Sequence, residues 1–314
     1  MSFELTNLSP IAFTPDGMHL FSVSDQKGVA HWIRKPNGRL ARPKYFATEH
    51  EIACLSAGIC FGTVTVAVCI SNESWGNCPL LLYCLDEDKW KMVRDLVNVT
   101  DWVKLSSVSI SPCGRGVWST THIDRGDCFG AELILTSSGI DQNPTTNFYQ
   151  FPIYENCYGT ALTSDPKVKV SEPVTGWLNA IVIKGEGLYL FLGRYSNSKD
   201  PFGRDLIEWS RGPMLTDKAA VLAPAFNPDN GGIEVALASG GVLHMSREPG
   251  TTNFVADKEY AKDLGVVQGI TSYFYNNELY TTLKANNNLH FFVRDLKTGE
   301  WKKIIKVFDD EEHE

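Results

Sequence analysis

The sequence predicts an all-β chain built from repeated four-stranded units, and three observations support this prediction. First, a run of small and apolar residues ending in a Gly or Asn turn occurs at Ser9–Gly17 and recurs at Ser107–Gly114 and Ala223–Gly231. Looser copies of the run begin at Ser56, Asn179 and Ile270. Second, the turns that end these runs are about 45 to 70 residues apart, a spacing typical of four-stranded units packed around an axis. Third, helical periodicity is nearly absent, and 257–264 is the one modest helix candidate.

The last unit shows four strands most clearly. The runs are Gly269–Tyr275, Leu279–Lys284, Leu289–Asp295 and Trp301–Val307, and Asn-, Asp- and Gly-rich turns separate them. Leu279–Lys284 alternates apolar and polar residues, as a half-buried strand does. The chain is therefore predicted to be one six-bladed β-propeller of four-stranded antiparallel blades over residues 1–314. The predicted blades are 7–48, 49–98, 101–155, 176–215, 220–262 and 265–308.

Innermost strands of such a fold face a crowded axis and favour small and apolar residues. The runs that fit this description are Pro10–Phe13, Val108–Ser111, Ile181–Ile183, Pro224–Phe226 and Ile270–Phe274. The segment 156–175 is longer than a hairpin connection needs and is predicted to be an inserted loop beside a ligand site. The acidic end, 309–314, is predicted to be a solvated tail.

Composition and charge narrow the classes of function. The chain is 43% hydrophobic and 21% charged, which supports a packed core and excludes wholesale disorder. Its 29 Lys and Arg against 37 Asp and Glu give a net charge of −8, which argues against nucleic-acid and anionic-membrane partners. The N-terminal residues show no basic region followed by an apolar stretch, so a cytoplasmic protein is expected.

The sequence contains no signature of a cofactor or metal site. Its 8 cysteines all lie in the first half, none forms a Cys-x-x-Cys pair, and reduced core thiols are expected. No nucleophile elbow, phosphate loop, dinucleotide fingerprint or zinc-protease motif occurs. We therefore expect no cofactor and no metal.

The blade pattern resembles the fungal fucose-binding lectins, which are six-bladed propellers with a ligand pocket between neighbouring blades. The resemblance implies an Arg on the second strand and a Glu on the third strand of each blade, with both holding sugar hydroxyls. The Arg positions are occupied here by His19, Thr65, Trp118, Tyr189, Glu234 and Tyr280. The Glu positions are occupied by His31, Leu82, Glu208, His244 and Phe291, with Glu132 near the position in the third blade. No blade keeps the Arg–Glu pair, so weak or absent fucose binding is expected.

Aromatic and imidazole side chains replace the sugar-binding groups and suit a small lipophilic or aromatic ligand. The candidate catalytic residues are Glu208, Tyr189, His31 and His244. The candidate substrate-binding residues are His19, Trp32, Trp118, Trp209, Tyr280 and Arg194. We expect a single pocket near the fourth blade, with Glu208 and Tyr189 as polar handles and a raised pKa on Glu208. The alternative is that these aromatics pack between blades and that the histidines are ordinary hydrogen-bonded residues.

A lectin-like propeller without the sugar groups is also similar to the hetero-Diels–Alderases of fungal tropolonic sesquiterpene (eupenifeldin-type) biosynthesis. That resemblance implies a cofactor-free enzyme that dehydrates a tropolone alcohol to a quinone methide and joins it to a humulene-type alkene. Dehydration needs an acid–base group near neutral pH, and the cycloaddition needs a dry, shaped pocket. A divergent glycan-binding lectin and a protein-binding propeller remain the alternatives. The sequence is also compatible with a homodimer.

Overall fold

The computed structural model describes most of the chain. The described residues are 10–23, 28–70, 80–95, 103–110, 116–123, 128–134, 145–150, 157–164, 176–183, 186–199, 205–220, 222–229, 231–249 and 251–309. None of the helical residues among them forms a helix long and apolar enough to cross a membrane.

The described strands are numbered β1 to β24 in chain order. The first eight are β1 Ile11–Phe13, β2 His19–Val23, β3 Val29–Ile33, β4 Lys44–Phe46, β5 Ile52–Cys60, β6 Thr63–Ile70, β7 Leu80–Asp86 and β8 Lys89–Asp95. The next eight are β9 Val103–Ile110, β10 Gly116–Ile123, β11 Cys128–Ile134, β12 Thr145–Gln150, β13 Cys157–Ser164, β14 Gly176–Ile183, β15 Gly187–Lys199 and β16 Asp205–Thr216. The last eight are β17 Ala225–Phe226, β18 Gly232–Ala236, β19 Val242–Arg247, β20 Phe254–Tyr260, β21 Gly269–Tyr275, β22 Glu278–Ala285, β23 Asn288–Arg294 and β24 Trp301–Ile304.

Consecutive groups of four strands form six antiparallel sheets among the described residues, and we number these sheets blade 1 to blade 6. Strands β1, β5, β9, β13, β17 and β21 each lie at the inner end of their sheet. Each of these strands contacts the next in this order, and β21 contacts β1, so the inner strands form a closed ring. The prediction of an all-β propeller with four-stranded antiparallel blades is confirmed.

The two ends of the chain meet where blade 6 contacts blade 1. The Phe13 amide donates to the Thr271 hydroxyl at 3.0 Å. The Leu40 amide donates to the Val307 carbonyl at 2.8 Å, and Leu40 forms a parallel bridge with Phe308. Closing the ring in this way pairs strand edges that would otherwise be exposed.

The apolar core is divided among the contacts between blades rather than gathered at one centre. One cluster joins blades 1 and 2 through residues such as Phe21 and Val68, and another joins blades 5 and 6 through Val242 and Leu283. Each of these four side chains is fully buried, and burial of such a side chain contributes about 1.5–3 kcal/mol. The boundaries between blades are therefore well-packed places in which a polar group needs a partner.

The fourth blade corrects two predictions. Strand β13, Cys157–Ser164, lies in the segment predicted to be an inserted loop and is the inner strand of blade 4. Ile181–Ile183 belongs to β14, the second strand, and was wrongly predicted to be innermost. The sequence of β13 consists mainly of Gly, Ala, Ser and Thr, so it lacks the apolar alternation by which strands are recognised.

Two smaller predictions are also corrected. The helix candidate 257–264 is strand β20 followed by a single 3₁₀ turn, Lys262–Leu264. Asp309, predicted to begin a solvated tail, donates its amide to the Leu40 carbonyl at 3.1 Å and pairs with Lys35. Residues 310–314 lie outside the described residues.

Candidate functional site

Two contacts between blades are built in the same way. At junction 1/2, His31 of β3 and Phe46 of β4 meet Trp90 of β8. At junction 5/6, His244 of β19 and Tyr260 of β20 meet Trp301 of β24. In both junctions the Trp ring stacks on the aromatic ring of the neighbouring blade, with centroids 4.4 Å apart for Trp90–Phe46 and 4.5 Å apart for Trp301–Tyr260.

At junction 1/2 the imidazole of His31 lies in a chain of hydrogen bonds. Trp90 Nε1 donates to His31 Nδ1 at 3.3 Å, and His31 Nε2 lies 2.9 Å from His19 Nδ1. Because an indole N–H can only donate, His31 Nδ1 carries no proton and His31 Nε2 donates to His19. The Phe21 ring, which is opposite His31 in the strand register, stacks on the imidazole with centroids 4.7 Å apart.

The surroundings keep His31 neutral. Its side chain is 1% exposed. Burial, with smaller contributions from His19 and Lys44, lowers the pKa of His31 to about 3. Burial also lowers the pKa of His19, against the opposing charge of Asp16. His31 therefore acts as a fixed link between Trp90 and His19, rather than as an acid–base group near neutral pH.

At junction 5/6 a carboxylate takes the place of Phe21. Glu234 is opposite His244 in the register of β18 and β19, and both side chains are 0% exposed. His244 Nδ1 lies 2.6 Å from Glu234 Oε1, and the Tyr260 hydroxyl donates to Glu234 Oε2 at 3.1 Å. Burial, followed by the charge on Glu234, raises the pKa of Tyr260 well above its usual value. Tyr260 thus stays protonated and holds the second carboxylate oxygen.

The other nitrogen of His244 faces the surface. His244 Nε2 lies 3.3 Å from Ser246 Oγ, and Ser246 Oγ lies 3.2 Å from Asp257 Oδ2. Ser246 is half-buried, while the Asp257 side chain is 42% exposed and pairs with Arg294 at 2.7 Å. A continuous array therefore runs from the buried Glu234 through His244 and Ser246 to a carboxylate at the surface.

This array can move a proton. An ionised Glu234 accepts from His244 Nδ1–H, which leaves a lone pair on Nε2 toward Ser246. In the observed arrangement, however, the Ser246 hydroxyl donates to Asp257 Oδ2 at 3.2 Å, so it donates to His244 only after turning away from Asp257. When His244 carries a second proton, Nε2–H donates to Ser246, and the hydroxyl is then able to donate to Asp257. Serine, imidazole and a carboxylate that fixes the imidazole are the parts of a general-base array.

Of the predicted histidines, the structure brings His19 and His31 together and places His244 elsewhere. His19 and His31 lie in contact in blade 1, whereas His244 lies in blade 5 with Glu234. The sequence alignment placed His19 and Glu234 at the same position, but the register pairs His31 with Phe21 and His244 with Glu234. Glu234 therefore corresponds to Phe21, two residues beyond His19.

The two polar residues predicted to meet in the fourth blade, Tyr189 and Glu208, are not neighbours in the described strands. Because β13 was missed, Tyr189 lies on the third strand and Glu208 on the fourth. Tyr189 is opposite Met214, while Glu208 is opposite Arg194 and is exposed. Tyr189 and Arg194, the residue opposite Glu208, are five positions apart on β15, which corresponds to about 17 Å of extended strand. Glu208 therefore has neither the apolar surroundings nor the Tyr189 partner that were predicted.

Other predicted residues of blades 3 and 4 have local roles or are not described at the side-chain level. The Arg211 guanidinium lies 3.9 Å from the centroid of the Tyr189 ring and pairs with Glu186. The Trp209 ring covers Gly193, where an added Cβ would lie 2.9 Å from the ring. Trp118 lies on β10 and Arg194 on β15, with their side chains outside the described residues.

Trp32 and Tyr280 lie where blade 6 meets blade 1. Trp32 contacts Phe308, with ring centroids 6.3 Å apart. The Tyr280 ring stacks on Tyr273 at 5.3 Å, and its hydroxyl donates to Glu278 at 2.8 Å. These two side chains pack the closure of the ring, as the alternative interpretation of the aromatics predicted.

The sequence interpretation missed most of junction 5/6. The missed residues are Glu234 as a site residue, Ser246, Asp257, Tyr260, Arg294 and Trp301. A signal for Glu234 existed, because it and His244 occupied the two ligand positions of one blade. Among the described residues, no group of three or more His, Cys, Asp or Glu side chains could hold a metal ion.

Comparison with known proteins supports the fold alone. No family profile and no curated protein sequence matches this chain. The fucose-specific lectin from Aleuria aurantia has a TM-score of 0.64 at 12% identity, with 96% of each chain covered. A triple arginine-to-alanine mutant of AofleA from Arthrobotrys oligospora has a TM-score of 0.61 at 13% identity, with 98% of this chain and 90% of that chain covered.

A propeller with a different function is also similar. The periplasmic gluconolactonase PpgL from Pseudomonas aeruginosa has a TM-score of 0.56 at 13% identity, with 96% of this chain and 85% of that chain covered. At such identities a shared architecture does not transfer a ligand or a reaction. The chain therefore has a lectin-like β-propeller fold that is also similar to lactonase propellers.

Proposed function

We propose that the protein is a cofactor-independent biosynthetic enzyme of the hetero-Diels–Alderase type, with its reaction site at junction 5/6. The observation that carries this proposal is the array from Glu234 through His244 to Ser246, which links a buried carboxylate to a half-buried hydroxyl. The substrate is a small lipophilic ring alcohol. The proposal includes a cytoplasmic location, without a nucleic-acid or membrane partner.

In the proposed dehydration, the ring hydroxyl of a tropolone alcohol lies against Ser246. Its proton passes through the Ser246 hydroxyl to His244 Nε2, and Glu234 stabilises the resulting imidazolium. The electron pair of the ring oxygen moves into the ring as the exocyclic C–O bond breaks. His244 returns the proton to the departing hydroxyl, so that one water and one quinone methide are formed and the array is restored.

The following cycloaddition transfers no proton. The quinone methide and the alkene of a humulene-type partner form two new bonds, and the protein contributes orientation and exclusion of water. The half-buried Trp301, whose ring stacks on the buried Tyr260, supplies an aromatic surface next to the array. The site differs from the one predicted in blade 4, because Glu208 is exposed whereas Glu234 and His244 are buried together.

The test replaces Ser246, which lies at the outer end of the array and outside the core. Ser246→Ala is expected to lower turnover of a tropolone alcohol with humulene by about 10²-fold, the scale of a lost acid–base path. Ser246→Thr keeps the hydroxyl and is expected to retain most of the turnover. Product formation is measured by chromatography, with dehydration and cyclised products quantified separately.

Ile33 provides the matched control, because it lies two residues after His31 as Ser246 lies two residues after His244. Ile33→Ala is expected to leave turnover unchanged. Full turnover in Ser246→Ala would exclude junction 5/6 as the reaction site. An absence of product with the unaltered protein would exclude the proposed reaction itself.

A second candidate function is the binding of a hydroxylated ligand such as a glycan. Asp257 lies on β20, the strand that also carries Tyr260, and its ion-pair partner Arg294 lies on β23, opposite Trp301 of β24. A carboxylate and a guanidinium suit sugar hydroxyls, and an aromatic ring suits the apolar face of a sugar. Calorimetric titration with fucose and a fucosylated oligosaccharide tests this candidate. We expect weak or no binding; a micromolar isotherm that Arg294→Met abolishes would favour the lectin function.

A further inference from the structure

Two cysteines of blade 2 lie directly opposite each other in the sheet. Cys54 of the inner strand β5 and Cys69 of β6 are partners in the antiparallel register. The side chains of such partners point to the same face of the sheet, and their Cα atoms are about 4.5 or 5.5 Å apart, depending on the hydrogen-bonding position. A disulfide bond requires Cα atoms about 4.4–6.8 Å apart. The register therefore brings this pair within reach of a disulfide bond.

Both side chains face the contact between blades 2 and 3, which we call junction 2/3. Cys69 belongs to an apolar cluster that also contains Val108 and Ile110 of β9, and Cys54 packs against the same cluster. Cys69 is 0% exposed, whereas Cys54 is half-buried. One thiol of the pair is therefore accessible to a small solute, and the other is shielded from it.

The other described cysteines of blade 2 are opposite threonines. Cys60 lies on the same strand as Cys54, six residues further on, and so on the same face, but it is opposite Thr63. Cys84 of β7 is opposite Thr65, whose hydroxyl lies 3.5 Å from the Cys84 sulfur. Among the described strands, the register thus places one pair of cysteines opposite each other.

We propose that Cys54 and Cys69 form a reversible disulfide bond across blade 2 when the protein meets a peroxide. The sulfur of Cys54 attacks one peroxide oxygen, which leaves a sulfenic acid on Cys54 and releases one water. The sulfur of Cys69 then attacks the sulfenic sulfur and displaces a second water. Two thiols lose two electrons and two protons, and hydrogen peroxide is reduced to two waters. A thiol reductant restores both thiols, as expected of a disulfide in a cytoplasmic protein.

The bond would tie the inner strand of blade 2 to its neighbour at a point where blade 3 is attached. Strand β5 contacts the inner strands β1 and β9, and the Ile110 amide of β9 donates to the Ser56 hydroxyl of β5 at 3.0 Å. Ser56 lies two residues after Cys54 and therefore on the same face. This modification site lies apart from junction 5/6, and the inference does not depend on the reaction proposed there.

The test treats the full chain with hydrogen peroxide under native conditions and then unfolds it in iodoacetamide, which blocks the remaining thiols. Chymotrypsin cleaves after Phe61 and so separates the fragment that contains Cys54 from the fragment that contains Cys69. Mass spectrometry without reduction identifies linked fragments, and their fragment spectra distinguish Cys54 from Cys60. We expect a loss of two alkylated thiols and a Cys54–Cys69 link that dithiothreitol reverses.

Three variants locate the link. Cys54→Ser and Cys69→Ala are each expected to lose it. Cys60→Ala is the matched control, because Cys60 and Cys69 are both 0% exposed in the same cluster, and it is expected to keep the link. The thermal midpoints of the reduced variants establish that they are folded. Peroxide treatment of the chain unfolded in guanidinium is a further control, in which pairing is expected to spread over other cysteines because the register is lost.

Three results would overturn the inference. The first is that Cys54 and Cys69 both remain open to alkylation at a peroxide concentration that oxidises glutathione in a parallel sample. The second is oxidation of Cys54 to a sulfinic acid without a link, or a link between Cys54 and a different cysteine. The third is a link whose rate of formation rises with protein concentration, since that bond would join two molecules rather than two strands.

Discussion

Junctions 1/2 and 5/6 both place an imidazole against an indole that stacks on the neighbouring blade, yet Nδ1 of the imidazole has a different partner in each. At junction 1/2 the Trp90 donor occupies His31 Nδ1, and the imidazole presents Nε2–H outward to His19. At junction 5/6 Glu234 Oε1 lies 2.6 Å from His244 Nδ1, and His244 Nε2 lies 3.3 Å from the Ser246 hydroxyl, which donates to Asp257. One exchange, Phe21 for Glu234, thus gives His244 a carboxylate partner that His31 lacks.

The comparison also indicates why a carboxylate is tolerated inside a packed boundary between blades. A buried carboxylate is costly unless donors surround it. Glu234 has two, since His244 contacts one oxygen and Tyr260 the other. Phe46 occupies the position of Tyr260 at junction 1/2 and has no hydroxyl, so that junction lacks the second donor a carboxylate would need.

The largest expected effect comes from removing the charge that distinguishes the two junctions. Glu234→Gln keeps a hydrogen-bond acceptor for His244 Nδ1–H but no longer stabilises an imidazolium. We expect turnover of the alcohol and alkene pair to fall by about 10²-fold or more, as when the carboxylate of a catalytic array becomes an amide. Steady-state assays of both products provide the measurement.

Phe21→Leu is the corresponding change at junction 1/2, and turnover is expected to be unchanged. The thermal midpoint of both variants establishes that they are folded. If Glu234→Gln were folded and fully active, the carboxylate would have a purely structural role and the contrast between the junctions would not concern catalysis.

The next effect is a loss of stability in acid at junction 1/2. The pKa of His31 is about 3 in the native state, against 6.5 for the unfolded chain. Between these values the unfolded state binds the additional proton, so stability falls as the pH falls from 6.5 toward 3. The contribution of His31 at pH 5 is about 2 kcal/mol lower than at neutral pH.

Denaturant titrations of the unaltered protein and of His31→Gln at pH 7.5 and pH 5 measure this pH-dependent contribution to the free energy of unfolding. Gln retains an acceptor for Trp90 and a donor for His19 but does not titrate. Its stability is expected to fall less between the two pH values. The same dependence on pH in both proteins would show that His31 does not carry the acid sensitivity.

A third effect tests the support of the carboxylate. Tyr260→Phe removes the hydroxyl that donates to Glu234 Oε2 at 3.1 Å while keeping the ring that stacks on Trp301. A lost hydrogen bond to a charged group is expected to lower the free energy of unfolding by about 1.5 kcal/mol. Chemical denaturation at pH 7.5 measures the change, and an unaltered midpoint would mean that Glu234 does not need its second donor.

The sequence predicts the architecture well because the same short run recurs along the chain. Runs ending in Gly or Asn turns locate the inner strands β1, β9, β17 and β21. Strand β13 escapes detection, since a strand of small and polar residues has no apolar alternation to find. That one omission placed Tyr189 and Glu208 one strand too far inward in the prediction, and the observed register separates them along the blade.

The site was harder to predict because it depends on register and on the neighbouring blade. His244 and Glu234 were both visible as ligand-position residues, but the alignment equated Glu234 with His19 rather than with Phe21. Trp301 belongs to the next blade, and its contact with Tyr260 follows from the packing of blades. The sequence pattern of one blade therefore identifies Glu234 and His244, whereas Trp301 is found only from the contact between two blades.

The smallest effect compares the two indole N–H groups by stability. Trp90→Phe and Trp301→Phe remove similar parts of rings that stack at 4.4 Å and 4.5 Å. The loss of packing should therefore lower the free energy of unfolding by a similar amount in both variants. Trp90→Phe also leaves His31 Nδ1 without its donor, whereas Trp301→Phe removes a buried N–H that lacked an acceptor among the described residues. We therefore expect Trp90→Phe to cost about 1 kcal/mol more than Trp301→Phe in the absence of any ligand. Urea denaturation of the two variants side by side measures the difference. Equal costs would mean that Trp301 Nε1 is as well satisfied as Trp90 Nε1.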